Sequence, residues 1–479
     1  MEYLSNPMID TLVVGAGISG LSCAYQLSQT ADRPLSLLVA EAQDRVGGNI
    51  TTQSINGFIW EEGPTSFSQT PELLQLIGDG GLESELVLAD RKLPRYVYWD
   101  QQLIAVPMSL PALVTSPLIS LRGKVRALLG GIGFVPPNVT GQAETVSAFF
   151  QRHLGTEVLQ RLVEPFISGI YAGDPHRLEN QAAFSRVAQM AELGGGLIPG
   201  AVLSRLQNPK PKPDPHLPKT RPGELGSFRR GLEMLPQAIA EHLQKQSQDQ
   251  VRLNWKLTQL NRTEHQTYQA EFQTPTGPQQ IEARTVLLTT PAYVSGSLLQ
   301  PLNLQISQAL EAIPYPMVAC VVLAYPNPAL KQPLVGFGNL IPRGQGIQTL
   351  GTIWSSSLFP GRAPEEWQML TNFIGGATAP EVASWSEEQI VEQVHQDLCQ
   401  TLLNGTQKPK VLAVHRWPRA IPQYNLGHLN LLAQIHQELE QLPGLFLCSN
   451  YTDGVALGDC VKRGMNQAVE IQSYLASSS

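Results

Sequence analysis

The stretches VVGAGISGL (13–21) and VAEAQDRVGG (39–48) decide the fold of this 479-residue chain. Leu12, Val13 and Val14 form a short apolar run suited to a buried parallel strand, which feeds directly into a glycine-rich turn and a helix. Gly15 allows the tight turn, and Gly17 removes a side chain where a pyrophosphate must approach the backbone. Gly20 lets the helix carrying Leu21, Ala24, Tyr25 and Leu27 pack close to the sheet. Ala16, Ile18 and Ser19 complete the turn, whose free amides face the phosphates. A second strand, Leu35 to Ala40, ends at Glu41, 21 residues after Gly20. A carboxylate there accepts bonds from ribose hydroxyls and disfavours a phosphorylated ribose.

A glycine motif alone is also compatible with a turn that holds nothing. Context argues for a ligand, because Glu41 is followed at once by Ala42, Arg45, Gly47, Gly48 and Asn49, a second glycine turn. A long dinucleotide such as FAD uses such a turn along its phosphate and ribityl stretch, whereas a nicotinamide fold does not need it. No second GxGxxG follows a strand, so a separate NAD(P)H domain is not expected, and oxygen or another small oxidant must reoxidise the flavin.

The length implies two or three domains. A net charge of −7 without a long Lys/Arg block argues against nucleic acid as a partner. Cys23, Cys320, Cys399, Cys448 and Cys460 are scattered and odd in number, which indicates neither a disulfide framework nor a metal site. No secretory signal is legible, so a cytoplasmic location is expected, and the N-x-T triplets at Asn138, Asn261, Asn404 and Asn450 are discounted.

Between Asp100 and Arg122 the chain carries no charge, and after Arg122, Lys124 and Arg126 a second uncharged stretch runs from Ala127 to Ala143. Pro107, Pro111 and Pro117 interrupt the first, which speaks against a spanning helix. Two readings stay open: apolar segments lying in one leaflet with their cations near headgroups, or a helical domain around an apolar cavity. Helices are expected to about Leu206, then a proline-rich exposed connector, NPKPKPDPHLPKTRPGE (208–224). Strands are expected at Val251–Trp255, Tyr268–Gln273, Thr285–Leu288, Val318–Leu323 and Gly351–Trp354, with a helix at Ala383–Leu403. Near the end, LFLCSNYTDGVALGDCVKRGMNQAVEIQSYL (445–475) reads as a buried strand, a turn at Asp453 and Gly454, and a helix from about Val455. The amides of Val455, Ala456 and Leu457 suit the negative charge that a reduced flavin carries around N1 and C2=O. An ordinary covering helix is the alternative.

This last segment resembles the flavin-contacting tail of the oxygen-dependent protoporphyrinogen oxidases. The resemblance extends to EEGPTSF (61–67), SGIYAGDP (168–175), GSFRRGLEMLP (226–236), GFGNLIPRGQGIQTLGTIWSSSLFPGRAP (336–364), NFIGGAT (372–378) and RWPRAIPQYNLGHL (416–429). It implies an α/β fold: a discontinuous, Rossmann-like FAD domain of the amine oxidase/p-hydroxybenzoate hydroxylase type, a mixed-sheet substrate domain and an inserted helical membrane-binding domain. The expected boundaries are 1–90, 224–300 and 442–479 for the FAD domain, 91–105 and 301–441 for the substrate domain, 106–205 for the helical domain and 206–223 for the connector.

The resemblance also implies six-electron oxidation of protoporphyrinogen IX to protoporphyrin IX, with O2 reduced to H2O2. Arg95 matches the arginine that pairs with a substrate propionate. Leu340, Ile353 and Phe373 match the apolar residues that clamp the macrocycle, and Gly169 matches a glycine whose carbonyl faces the pyrrole nitrogens. Gly63, Pro64, Thr65, Ser66, Leu257 and Trp417 match positions beside the cofactor. Many relatives carry asparagine where Thr65 stands, so no general base is carried over and no catalytic side chain is assigned. The expected partners are the tetrapyrrole, O2, a membrane surface bound monotopically and a second copy of the chain as a homodimer. Coproporphyrinogen III is the alternative substrate, and a flavin amine oxidase, a carotene desaturase or a flavin-free prenyl-binding regulator the alternative protein classes. Arg95 favours an anionic substrate over the first two.

Overall fold

The computed structural model describes residues 8–30, 35–138, 142–208, 214, 217–221, 223–246 and 250–477. The strand Ile9–Val14 is buried on both faces, as its branched apolar run requires, and pairs in parallel with Leu37–Ala40 and with Gly277–Leu288. Gly277–Leu288 is the spine of a seven-stranded sheet. On its far edge it pairs antiparallel with Tyr268–Thr274 and then, from Val286, in parallel with Leu445–Leu447. The helices Ile18–Thr30, Pro71–Asp79, Met234–Gln246 and Leu457–Ser477 supply one core layer against this sheet. Ala292–Leu299, Leu304–Glu311 and His428–Leu439 supply the other.

Several expected boundaries shift for identifiable reasons. The second strand starts at Leu37 rather than Leu35. The expected strand Val251–Trp255 is only Val251–Arg252, because Asn254 adopts a left-handed φ of 57° and redirects the chain into the antiparallel strand Lys256–Arg262. The helix expected from Ala383 starts at Glu387, where Ser386 and Gln389 form a capping box, and ends at Thr401. Leu304–Glu311 and His428–Leu439, expected with the substrate domain, bury Ile306, Leu310 and Ile435 under the first sheet instead. Of the proline-rich connector, residues 209–213, 215–216 and 222 lie outside the described residues.

A second seven-stranded sheet runs in the order Lys410–Trp417, Val318–Pro326, Trp367–Gly375, Gly351–Trp354, Gly338–Leu340, Arg95–Trp99, Gln102–Ala105. Its strands alternate with period two. Ala319, Val321, Leu323, Leu370 and Ile374 pack beneath the helix Glu387–Thr401, which leaves the opposite face for other work. Short helices between Leu110 and Gln207 form a third unit around Phe149, Phe150, Ile167 and Tyr171, and Tyr424 completes that core from outside.

One buried ion pair ties the hairpin Thr52–Ile55/Phe58–Glu61 to the loop before the strand Trp367–Gly375. Glu61, closing the strand Phe58–Glu61, lies 3.1 Å from an Arg362 guanidinium nitrogen, and both side chains are about 4% exposed. Glu61 also accepts from Thr52 Oγ1 and the Leu232 amide, while Arg362 donates to Ser227 Oγ and Phe228 O. Burial pushes the Glu61 carboxyl pKa up, against the opposing pull of Arg362. Arg362→Leu would strand a buried carboxylate at a cost of about 3–5 kcal/mol. We expect a correspondingly lower denaturation midpoint, with Glu61→Leu/Arg362→Leu less destabilised than either single variant; equal or additive losses would show that the pair does not act as a unit.

Candidate active site

The two glycine motifs, 30 residues apart in sequence, meet in space. The Gly47 amide donates to Ala16 O at 2.8 Å, and Gly17 bridges Gly47 in parallel register. A Cβ on Gly48 would stand 3.3 Å from the Gly17 Cα, so the turns are in van der Waals contact. Gly15 sits at φ +105°, and a Cβ on Gly20 would fall 2.2 Å from the Gly15 carbonyl oxygen, so both are dictated by the turn itself. Gly17 differs: a Cβ there would meet nothing within 4 Å. Its missing side chain answers to no protein neighbour, which fits a cradle for a pyrophosphate beside the helix starting at Ile18 with Ser19 in its first turn. Weighed on this geometry, the residues present fit a dinucleotide.

Glu41 ends the second strand with one carboxylate oxygen accepting the Ala16 amide at 2.7 Å and the other accepting Gln43 N at 2.9 Å. It braces the first turn and retains further lone pairs for a ribose. Arg45 turns inward, donating to Val46 O, Ile50 O, Gly48 O and Thr51 Oγ1. Its guanidinium therefore staples the Ala42–Asn49 loop. Leu257 lies in the buried layer beneath the sheet at 7% exposure, just past Asn254 and Trp255, whose amides bond to Gln43 O and Glu41 O.

Farther along, a Cβ on Gly63 would come 2.0 Å from Asn49 O, so the Gly63–Ser66 loop lies directly against the second turn. Trp417 joins them by donating its indole N–H to Glu62 O at 2.8 Å. Two neighbours were not anticipated: Glu62 and His415, whose side chains lie 3.3 Å apart, with the imidazole 4.3 Å from the Trp417 ring. The signal was present in the two-residue spacing from Trp417 along a strand. A small cavity between Trp60, Glu61, Thr65, Ile353, Phe359 and Arg362 connects the ion pair to this region.

The strand residues matched to the substrate share one face of the second sheet. Phe373 opposes Gly351, Leu340 opposes Gly351 from the other side, and Gly338 opposes both Ile353 and Arg95. This face lies opposite the layer packed on Glu387–Thr401. Over it runs the helix Glu164–Tyr171, in which a Cβ on Gly169 would strike Leu340 Cδ2 at 2.7 Å. Arg95 stacks its guanidinium over the Phe337 ring at 5.3 Å and has no ion pair with a protein carboxylate among the described residues. Such a fork is available to a carboxylate brought by a ligand.

The C-terminal helix begins at Leu457, two residues later than expected, so Val455 and Ala456 form its approach and not its first turn. Ala456 O accepts the Cys460 amide, which leaves the first-turn amides without intrahelical partners. Substituting Gly17→Ala is expected to leave the apoprotein's melting temperature unchanged while weakening dinucleotide binding at least tenfold by equilibrium dialysis. Gly20→Ala should lower the melting temperature itself; the reverse pattern would move the cradle elsewhere.

Residues 18–472 match the family of flavin containing amine oxidoreductases. The chain is 44% identical to the chloroplastic protoporphyrinogen oxidase of Nicotiana tabacum over 98% of its own length and 86% of the relative's. It is 28% identical to the coproporphyrinogen III oxidase of Bacillus subtilis (strain 168), over 97% and 98% of the two chains. In fold it is similar to the crystal structure of a candidate protoporphyrinogen oxidase from Exiguobacterium sp. 255-15, with a TM-score of 0.78, 24% identity and coverage of 98% and 99%.

Proposed function

The chain belongs to the flavin-containing amine oxidoreductases and, among them, to the protoporphyrinogen oxidases of tetrapyrrole biosynthesis, and we propose that its flavin is FAD and its electron acceptor O2. It is an oxidoreductase that oxidises protoporphyrinogen. The observation that carries the FAD reading is the contact of two glycine turns around the open side of Gly17, which provides room for a two-phosphate bridge and an extension beyond it. Bound there, FAD would supply three successive two-electron oxidations, with three O2 reduced to three H2O2.

The remaining work falls to side chains of the chain itself. Arg95 pairs with a propionate and fixes the in-plane orientation of the macrocycle. Leu340, Ile353 and Phe373 provide an apolar wall that excludes water, and the helix bearing Gly169 closes it from above. The Gly63–Ser66 loop and Trp417, joined through Glu62 O, would hold the far edge of the flavin, and the start of Leu457–Ser477 would offer it a partial positive charge. No side chain is assigned as proton acceptor, and none is required if the substrate's own NH groups and solvent take the protons.

The same reading extends to a membrane surface on the cytoplasmic side. Most large hydrophobic side chains that stand exposed among the described residues fall between Met108 and Leu206, including Leu121, Leu128, Phe134, Phe166 and Leu206. No described helix is long and apolar enough to cross a bilayer. Of the expected cationic cluster, Arg126 is spent on His153 O and Arg152 O and Lys124 on Val114 O, which leaves Arg122 the exposed cation best placed for a headgroup. Attachment therefore rests on apolar burial, at about 1.5–3 kcal/mol per leucine.

Aerobic incubation of the flavin-loaded protein with protoporphyrinogen IX should produce porphyrin fluorescence with three peroxides per porphyrin. Arg95→Ala should raise KM at least tenfold with a smaller effect on kcat. Coproporphyrinogen III run alongside ranks the alternative, and a preference for it would replace the assigned substrate. In a separate sedimentation assay, Leu121→Asp/Leu128→Asp should lower the fraction bound to anionic liposomes at least tenfold; recovery of the parent protein in the supernatant would remove the membrane proposal.

A further inference from the structure

One aromatic side chain joins the flavin-facing loop to the helical unit. Tyr424 is 1% exposed, and its hydroxyl spans both ends of the turn Asn450–Gly454. It donates to Asn450 O and accepts the Gly454 amide at 3.0 Å. Gly454 sits at φ +115°, so the chain makes a sharp turn here before it reaches Val455, Ala456 and the helix at Leu457. Burial pushes the phenol pKa well up, so the group keeps the proton it donates.

The turn is held a second time by His428. The His428 ring stacks on Tyr424 at 4.3 Å and 11°, and its Nε2 lies 2.9 Å from Tyr451 O. A carbonyl can only accept, so the imidazole bears its proton on Nε2. Burial lowers the His428 pKa to about 4, which keeps that neutral form across ordinary pH.

On its other side the Tyr424 ring belongs to the core of the helical unit. It meets Tyr171 edge-on at 5.7 Å, and Val455 packs into the same cluster. The neighbouring backbone is bonded in the same direction: Gln423 donates to Tyr171 O, the Glu179 amide to Tyr424 O at 2.7 Å, and the Gly427 amide to the Glu179 carboxylate at 3.0 Å. The turn before the C-terminal helix thus has one wall made of the first sheet's layer and another made of the membrane-facing unit.

We infer that Tyr424 is a positioning residue: its hydroxyl clamps the Asn450–Gly454 turn so that the first amides of Leu457–Ser477 stay aimed at the flavin, and its ring makes that aim depend on the helical unit. The inference rests on the proposed approach of that helix start to the flavin ring. Removing the hydroxyl takes that partner from the half-buried Asn450 carbonyl and Gly454 amide together, a loss large enough to shift a dependent equilibrium about tenfold.

The test uses the FAD-loaded full chain. Tyr424→Phe is expected to weaken FAD binding about tenfold, shift the flavin absorbance bands and lower the flavin midpoint potential, because the reduced form loses aligned donors. Tyr171→Phe, which loses its bond to Ala183 O but leaves the clamp intact, should lower the melting temperature without moving the bands. Unchanged bands and potential in Tyr424→Phe, or an equal shift in Tyr171→Phe, would overturn the proposal. If Tyr424→Phe does not fold, His428→Leu removes the other restraint on the same turn; it should shift the bands in the same direction, and no shift there is equally fatal. Ala456→Glu separates the two levels. Unmoved bands in that variant would place the flavin elsewhere and remove both readings, whereas moved bands there with none in Tyr424→Phe would overturn the clamp alone.

Discussion

The contact between the turn at Gly17 and the turn at Gly48 is the constraint on which the rest of the site depends. It requires the strands Ile9–Val14 and Leu37–Ala40 to be adjacent and in parallel register, because only then do both turns leave the sheet on the same edge. Glu41 and Arg45 serve that contact from opposite sides. The carboxylate pins Ala16 N, and the guanidinium gathers the carbonyls of the second loop, so each turn is rigid before a ligand arrives. Gly63 then packs on Asn49 O, and Trp417 on Glu62 O, which carries the geometry outward to the second sheet.

That second sheet separates structure from chemistry by strand alternation. One face is closed by Glu387–Thr401 and is purely a core; the other collects Arg95, Leu340, Ile353 and Phe373 from four different strands. A slip of one residue in any of these strands would exchange the two faces, so register is as important to the site as the side chains themselves. The Glu61–Arg362 pair holds the hairpin strand Phe58–Glu61 to the loop that precedes Trp367–Gly375, at the cost of keeping a carboxylate out of water.

Much of this was legible from residue patterns. The first strand, its helix, the acidic residue at the second strand's end and the strand Gly351–Trp354 follow from local periodicity and glycine placement. Other features were not, for physical reasons. The left-handed Asn254 that shortens a strand is a backbone state that apolar periodicity does not register. Leu304–Glu311 and His428–Leu439 are amphipathic helices whose apolar faces suit either sheet, and only packing assigns them to the first. Arg45 and Glu41 carry charges that suit a ligand, yet much of their hydrogen bonding goes to the protein's own backbone.

Sequence alone determined the two glycine turns, the alternation of strand and helix and the chemical type of the site, because these depend on residue identities within a few positions of one another or on motifs distinctive enough to stand for a family. Tertiary structure decided which residues meet. Glu61 finds Arg362 and Tyr424 finds Gly454 across long separations in sequence, through hydrogen bonds or ion pairs that leave no periodic trace in the chain. The helical unit's closeness to the turn Asn450–Gly454 belongs to the same class: it arises from Tyr171, Tyr424 and Val455 sharing one cluster, and burial is a property of the folded whole.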